Sequence, residues 1–293
     1  MLYSDCDLHG RMVQEKAMVV TDTLENVDIK ELTQAYNLGF SDYQIALSIT
    51  EEKLQRTLKR NGYQANSSVG LFDEKKLVGF ILNGVRGTYG YDSGTAIIPS
   101  HRGKGYAHLL VEKALSLLRN QDIHTWVLEV ITNNTKAINL YKSIGFTQQR
   151  GFNCYHIKVE TVREKTTTID LTRQRSILIP KGECLPSWQN EEEAIQLGDI
   201  PTWDIKAEAR KVGTLCYDPE TGMIAQIYIQ DEERRKGYAK GAIIEAAKLC
   251  ETEQLRFINI DDCYRPLNNL VRTLGFTCFT TQLEMVKTIR ERA

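Results

Sequence analysis

Segments with the hydrophobic spacing of a helix alternate along the chain with short segments rich in strand-forming residues. Apolar side chains recur every three or four positions on one face between residues 107 and 118, which predicts an amphipathic helix. Short runs rich in strand-forming residues lie before and after it, at residues 94–98 and 125–131, and these predict strands. Strands that alternate with helices in this way predict an α/β fold.

The chain upstream of this unit extends the same pattern. Residues 28–40 and 50–60 predict two helices. Residues 67–72 and 77–85 predict two strands, joined by a turn at residues 73–76. We therefore expect two helices and a hairpin before the central strand.

The chain contains an internal repeat. The run RGKGYA at residues 102–107 recurs as RRKGYA at residues 234–239, which is 132 positions later. The run SIGF at residues 143–146 recurs as TLGF at residues 273–276, which is 130 positions later. Two matched motifs at nearly one spacing indicate a duplicated unit.

The second copy repeats the order of predicted elements. Strands are expected at residues 224–229 and 256–260, with a helix between them, but less of the unit precedes the motif. We predict a catalytic domain at residues 1–160, a polar linker at residues 161–172 and a shorter second domain at residues 173–293. Each domain is expected to be a mixed, twisted sheet flanked by helices.

Charge and composition narrow the class of protein. The 37 Lys and Arg residues balance 38 Asp and Glu residues, so no global positive field favours nucleic acid or an anionic membrane as partner. No apolar stretch reaches membrane-spanning length, and five charges in the first twenty residues argue against a signal peptide. The seven cysteines are scattered, and no two lie at the close spacing of a zinc or redox motif. We therefore expect reduced thiols in a cytoplasmic protein and no metal site.

The repeated motif of the first copy lies where a predicted strand passes into a predicted helix. Its glycines let a ligand approach the backbone closely, and the N–H groups of a helix's first turn favour anions. Arg102 and Lys104 add positive charge. The motif is neither a Walker A loop nor a dinucleotide-binding fingerprint, and alone it also fits an ordinary turn, so its neighbours decide.

Further motifs accompany it in a fixed order. They are Ile97-Ile98-Pro99, Arg102-x-x-Gly105-x-Ala107, Leu128-Glu129-Val130, Asn134, Leu140-Tyr141 and Gly145-Phe146. Together they resemble the GNAT superfamily of acetyl-CoA-dependent N-acetyltransferases, over about residues 19–158. The resemblance implies an α/β fold in which acetyl-CoA enters where two adjacent strands separate.

The resemblance assigns cofactor binding to nine residues of the first copy. The end of the central strand would present its backbone to the pantetheine arm, the loop would hold the pyrophosphate, and an asparagine would contact the arm. These residues are Ile97, Ile98, Arg102, Gly103, Lys104, Gly105, Tyr106, Ala107 and Asn134.

The resemblance also assigns the chemistry. Tyr141 matches the family's general acid, which protonates the departing thiolate; the alternative is that Tyr141 only packs its helix on the sheet. Glu129 is similar in place to the base of the bacterial ribosomal-protein alanine N-acetyltransferases. The alternative is that Glu129 faces solvent or a structural partner. A base is needed in either case, because an amine must lose a proton before it attacks a thioester.

The second copy lacks these groups. With an offset of 130 positions, Tyr141 corresponds to Val271, Glu129 to Asn259 and Asn134 to Tyr264. We therefore predict that the second copy is not catalytic, although it keeps an apparent pyrophosphate loop.

The acceptor is expected to be a primary amine of a small molecule or peptide. Phe40, Tyr43 and Tyr91 are similar in place to acceptor-site residues of the superfamily, although ordinary aromatic packing explains them equally well. Two alternatives stay open, namely an acyl-CoA-binding sensor or interaction protein without turnover, and a transferase that uses a longer acyl-CoA.

Overall fold

The first half of the chain alternates strands and helices in the predicted order. A computed structural model describes residues 19–42, 48–174 and 184–290. The elements of the first half are β1 (Val20–Thr23), α1 (Ile29–Gly39), α2 (Glu51–Arg60), β2 (Val69–Asp73), β3 (Lys76–Arg86), β4 (Tyr89–Ile97), α3 (Tyr106–Asn120), β5 (Thr125–Ile131), α4 (Thr135–Ser143) and β6 (Thr147–Lys158).

The second half repeats this order with shorter helices at its start. Its elements are α5 (Glu160–Arg163), β7 (Ile169–Arg173), α6 (Glu192–Leu197), β8 (Thr202–Ala207), β9 (Arg210–Asp218), β10 (Met223–Ile229), α7 (Tyr238–Leu249), β11 (Gln254–Asp261), α8 (Arg265–Leu274) and β12 (Thr277–Thr288). A three-residue 3₁₀ turn, Trp188–Asn190, precedes α6. The first strand of the second half, β7, follows α5 and was missed by the sequence pattern.

Local sequence explains where the helices begin and end. The Asp28 side chain caps α1 by accepting from the Glu31 N–H at 2.8 Å, and Thr50 caps α2 in the same way. The hairpin between β2 and β3 turns through Glu74 and Lys75, both with positive φ. These findings confirm the predicted helices and hairpin.

All twelve strands form one mixed sheet. Its order is β1-β2-β3-β4-β5-β12-β6-β11-β10-β9-β8-β7. The predicted fold class, two mixed α/β units in tandem, is confirmed. The two predicted sheets are continuous with each other rather than separate.

The two halves exchange their last strands. β12 of the second half pairs antiparallel with β5 of the first half, and β6 of the first half pairs antiparallel with β11 of the second. β12 and β6 also pair with each other at the centre. Each half therefore completes the sheet of the other.

The hydrophobic cores are exchanged together with the strands. Met285 of β12 is fully buried in the core of the first half, beside Trp126 and Phe146. Tyr155 of β6 is fully buried in the core of the second half, beside Phe257. Neither half can close its own core without the other.

The predicted linker at residues 161–172 carries regular structure. It holds most of α5 and the first part of β7, which pairs with β8 at the far edge of the sheet. Within the described residues, no helix is both long and apolar enough to cross a membrane. The six described cysteines are all free thiols.

Candidate active site

The sheet opens between β4 and β5. These parallel strands pair only from Tyr89 and Thr125 to Asp92 and Leu128. A bulge at Ser93 follows, and beyond it β4 keeps only its pairing with β3 and β5 keeps only its pairing with β12. The backbone of the second part of β4 is left open on this side. This is the strand separation that the sequence predicted.

The loop before α3 has the geometry of an anion cradle. Gly103 and Gly105 have φ of 75° and 80°, and a Cβ at either position would meet no atom within 4 Å. Gly105 caps α3 without a side-chain hydrogen bond, so no capping side chain occupies the N–H groups of the first turn. The predicted contacts of Lys104, Tyr106 and Ala107 with a pyrophosphate stay predictions.

The Arg102 side chain is held by hydrogen bonds within the protein. Its Nε donates to Ile97 O at 2.8 Å, one terminal nitrogen to Gly39 O at 2.7 Å, and both terminal nitrogens to Asp42. The pKa of Asp42 is lowered because Arg102 donates hydrogen bonds to its carboxylate. All three guanidinium nitrogens are thus engaged. Arg102 thereby fastens the loop to β4 and α1, and its predicted contact with the pyrophosphate stays a prediction.

Two other predicted contacts are refined by hydrogen bonds. The Ile98 N–H donates to Val78 O at 2.9 Å, so it is not free for a cofactor, and this part of the prediction is corrected. Asn134 caps α4 by accepting from the Ala137 N–H at 3.2 Å. The contact between Asn134 and the cofactor arm stays a prediction.

Tyr141 and Asp92 form a buried pair on the face of the sheet that carries α3 and α4. The Tyr141 hydroxyl donates to Asp92 Oδ2 at 3.0 Å, and Thr95 Oγ1 donates to the same oxygen at 2.7 Å. Burial raises the pKa of Asp92, while these hydrogen bonds oppose the rise. The phenol lies at the level where β4 and β5 separate.

Glu129 occupies the opposite face at the same level. Its Oε2 accepts from the Tyr91 hydroxyl at 2.7 Å and from Gln189 Nε2 at 2.8 Å. Its Oε1 is buried and makes no hydrogen bond within the described residues. Burial raises the pKa of Glu129 to about 7, against the opposing effect of the two donors.

The three residues predicted at the acceptor site lie in different surroundings. Tyr91 is 2% exposed and contacts Glu129 directly, so the fold brings these two predicted residues together. Phe40 packs against the Tyr36 and Phe80 rings, with centroids 4.7 and 6.2 Å away, in the core under α1. Tyr43 lies outside the described residues.

Sequence reasoning missed the residues that the second half adds to this site. Gln189 reaches Glu129 from the turn Trp188–Asn190, and the Trp188 ring stacks on Tyr91 with centroids 5.0 Å apart. No local motif marks these residues, because only the chain crossing brings them here. Gln189 is 60 positions from Glu129 in sequence.

The second copy keeps the backbone conformation of the glycine loop. Arg235 adopts the positive φ of Gly103, and Gly237 has φ of 86° where Gly105 has 80°. Asp231 and Glu233 pair with the basic side chains of this loop, at 2.8 Å to Arg234 for Asp231. This pairing reduces the positive charge that the loop can offer to a pyrophosphate.

An open cavity of about 910 Å³ lies between the two halves, on the Glu129 face. Val127, which precedes Glu129 by two positions and shares its face, lines the cavity together with Trp188. The charged lining consists of four carboxylates and two guanidinium groups, from Glu191, Glu193, Asp261, Glu284, Arg86 and Arg150. Both arginines are paired with these carboxylates, so the lining carries excess negative charge.

Residues 30–146 match the model of the acetyltransferase (GNAT) family. The fold, the strand separation and the glycine loop agree with this match. The first half of the protein therefore matches the GNAT acetyltransferase family, and the second half repeats its glycine-loop motif and its order of strands and helices.

Curated relatives are similar over parts of the chain. Streptothricin acetyltransferase of Escherichia coli is 28% identical over 132 residues, which cover 44% of this chain and 76% of the relative. Spermidine N(1)-acetyltransferase of Vibrio cholerae is 37% identical over 54 residues, which cover 18% of this chain and 31% of the relative.

Two solved structures are similar in fold over most of this chain. A GCN5-related N-acetyltransferase of Sphaerobacter thermophilus has a TM-score of 0.69 at 12% identity, covering 94% of this chain and 97% of its own. A tandem GNAT protein from the clavulanic acid biosynthesis pathway has a TM-score of 0.67 at 11% identity, covering 94% and 100%. At these identities the likeness concerns the fold.

Proposed function

We propose that the protein transfers an acetyl group from acetyl-CoA to a primary amine, and that the first half carries the reaction. The observation that carries this proposal is the Glu129 carboxyl, at the point where β4 and β5 separate. Its pKa is raised to about 7 by burial. A carboxyl group that titrates near neutral pH is suited to accept the proton of an ammonium group.

The arrangement of acid and base supports direct transfer between two bound substrates. Tyr91 and Asp92 are consecutive in β4, so their partners Glu129 and Tyr141 lie on opposite faces of the sheet. Glu129 would accept the proton of the acceptor's ammonium group on one side. Tyr141 would donate its phenolic proton to the departing thiolate on the other, after its O–H rotates away from Asp92.

The glycine loop and the open part of β4 supply the binding surface for acetyl-CoA. Backbone N–H groups from Gly103 to Ala107 would hold the pyrophosphate, which suits the open space above both glycines. The bound thioester supplies the activated acetyl group. The chain's own residues position it and move the two protons.

The inter-half cavity supports a cationic acceptor. The excess of carboxylates in the cavity lining favours a positively charged molecule. Val127, which lines the cavity, lies two positions before Glu129 in β5, so the cavity adjoins the proposed base. Two relatives are named for spermidine and streptothricin, so small amines are the first class to test. Peptide amines are the second class.

An acceptor screen that follows free thiol release tests this function. We expect wild-type protein to release thiol from acetyl-CoA with at least one amine, and Glu129→Gln to be severely impaired with the same amine at neutral pH. Longer acyl-CoA donors in the same screen define the acyl group. Tight retention of acetyl-CoA without thiol release, across small and peptide amines, would instead identify a sensor.

A further inference from the structure

A short segment of the second half, residues 185–190, is fastened across the Glu129 face by arginines of the first half. Arg60 donates to Gln189 O at 2.9 and 2.5 Å, and Arg86 donates to Trp188 O at 2.8 Å. Both arginines are largely buried, and burial lowers the pKa of Arg60 to about 10. Charged donors of this kind are strong anchors for carbonyl groups.

The other end of the same segment is held by Arg150 of β6. Arg150 donates to Leu185 O at 2.6 Å and to Pro186 O at 3.1 Å. Its guanidinium also pairs bidentately with Glu284, at 2.9 Å for each bond. Four carbonyl groups of six residues are therefore fixed by side chains of the first half.

This anchoring aims one side chain at the proposed base. Gln189 Nε2 donates to Glu129 Oε2 at 2.8 Å and contacts the Tyr91 hydroxyl oxygen at 3.1 Å. Trp188 covers the Tyr91 ring in a stacked geometry, with planes 11° apart. The three polar groups of Tyr91, Gln189 and Glu129 thus form a closed cluster.

Two further groups of the second half act on Glu129. The negative charge of Glu284, its register partner on β12, raises the pKa of Glu129. The side chain of Asn259, the counterpart of Glu129 in the second copy, is a weak hydrogen-bond donor to Glu129 and lowers that pKa, although the contact falls short of full hydrogen-bond geometry. Gln189 makes the well-formed hydrogen bond, at 2.8 Å.

We infer that the second half completes the active site of the first, and that Gln189 is a positioning residue that holds Glu129 in place and favours its ionised form against the effect of burial. This inference rests on the proposed function for its catalytic meaning. It gives the second copy a role although its own acid, base and cofactor contact are absent. The Gln189 amide can donate to the carboxylate and so favours the ionised form.

The titration of Glu129 tests this without any turnover. Protein labelled with ¹³C at glutamate carboxyl carbons is titrated by NMR, and the Glu129 signal is identified by its loss in Glu129→Gln. We expect Gln189→Ala and Gln189→Met to raise the Glu129 midpoint by about one pH unit, the size of one lost hydrogen bond to a charged group. Gln189→Met keeps the length of the side chain and removes only its donor, so it serves if Gln189→Ala disturbs the turn.

A matched control is available in the same half. Gln196 also donates to a carboxylate, Glu192 at 3.1 Å, but on the exposed surface of α6. Gln196→Ala should leave the Glu129 midpoint unchanged. The other groups that act electrostatically with Glu129 are Tyr91, Arg60, Cys154 and Glu284, and all of them stay in place in the Gln189 variants.

Turnover then separates this inference from the proposed function. With an active acceptor, the acidic limb of the kcat/KM profile should move to higher pH in both Gln189 variants, with partial recovery of rate above the new midpoint. An unchanged Glu129 midpoint in both variants overturns the inference, even if the wild type acetylates amines. A shifted midpoint in a protein that never turns over leaves Gln189 acting on Glu129 and overturns the proposed function alone.

Discussion

The Tyr141 hydroxyl donates to the Asp92 carboxylate at 3.0 Å inside the first half, and both partners have been replaced together in the second. Ile224 occupies the position of Asp92, immediately before the equivalent bulge, and Val271 occupies the position of Tyr141. Both replacements are buried in the second core. A polar pair in one copy has become an apolar pair in the other, which is how a buried site is removed without leaving an unsatisfied group.

Removing the Tyr141 hydroxyl should stop the chemistry while the fold survives. We expect Tyr141→Phe to lower turnover by roughly 10²–10⁴-fold, with little change in acetyl-CoA affinity. Asp92 also loses one donor, so unfolding should become easier by about 1 kcal/mol. Single-turnover kinetics and thermal melting measure the two effects.

Tyr155→Phe is the control for that experiment. Tyr155 is also buried and donates to Asn268 at 3.0 Å, but it lies in the second core. The Tyr155→Phe variant should lose about as much stability as Tyr141→Phe and keep the turnover of the wild type. Equal turnover in the two variants would mean that Tyr141 only packs its helix.

The Glu129 carboxyl should make folding stability depend on pH. Its pKa rises from 4.5 to about 7 on folding, so the folded protein holds the proton that the unfolded chain releases. This stabilisation is fully present below pH 4.5 and is lost as pH rises through about 7. The change is roughly 3 kcal/mol at most. Glu129→Gln should remove this part of the pH dependence in denaturant unfolding series, and an identical pH dependence would show that Glu129 titrates normally.

The two glycine loops allow a paired test of cofactor binding. Gly105→Ala and Gly237→Ala place a side chain at nearly the same positive φ, 80° and 86°, so each should cost about 1–2 kcal/mol of stability. The new methyl groups enter open space in both loops. We expect only Gly105→Ala to reduce the thermal stabilisation that acetyl-CoA gives to the wild type. An equal reduction in both variants would assign a second acetyl-CoA site to the second half.

The strand exchange predicts that the whole protein unfolds in one step. Calorimetry should give a single transition with equal calorimetric and van't Hoff enthalpies, because β12 belongs to one half in sequence and to the other in packing. Met285→Ala, a truncation inside the first core by a residue of the second half, should cost about 2–5 kcal/mol and move that one transition. Two resolved transitions, with only one moved by Met285→Ala, would contradict this.

The sequence by itself determined the local elements and the repeat. The helical spacing at residues 107–118 produced α3, Asp28 and Thr50 capped α1 and α2, and the two motifs located both copies of the loop. Helix periods, caps and glycine turns depend on neighbours within a few positions, so they are readable from the chain. The replacement of the acid and base in the second copy was readable for the same reason.

Only the tertiary structure decided which strand completes which sheet, and what surrounds Glu129. β6 and β12 are equivalent strands of the repeat, and either could satisfy the open backbone of β5, so local pattern could not distinguish them. The direction of Arg102 toward Asp42 depended on the position of α1. Gln189 reaches Glu129 because three arginines, distant in sequence, hold its segment across the sheet. Contacts of this kind depend on non-local pairing, which no short stretch of sequence encodes.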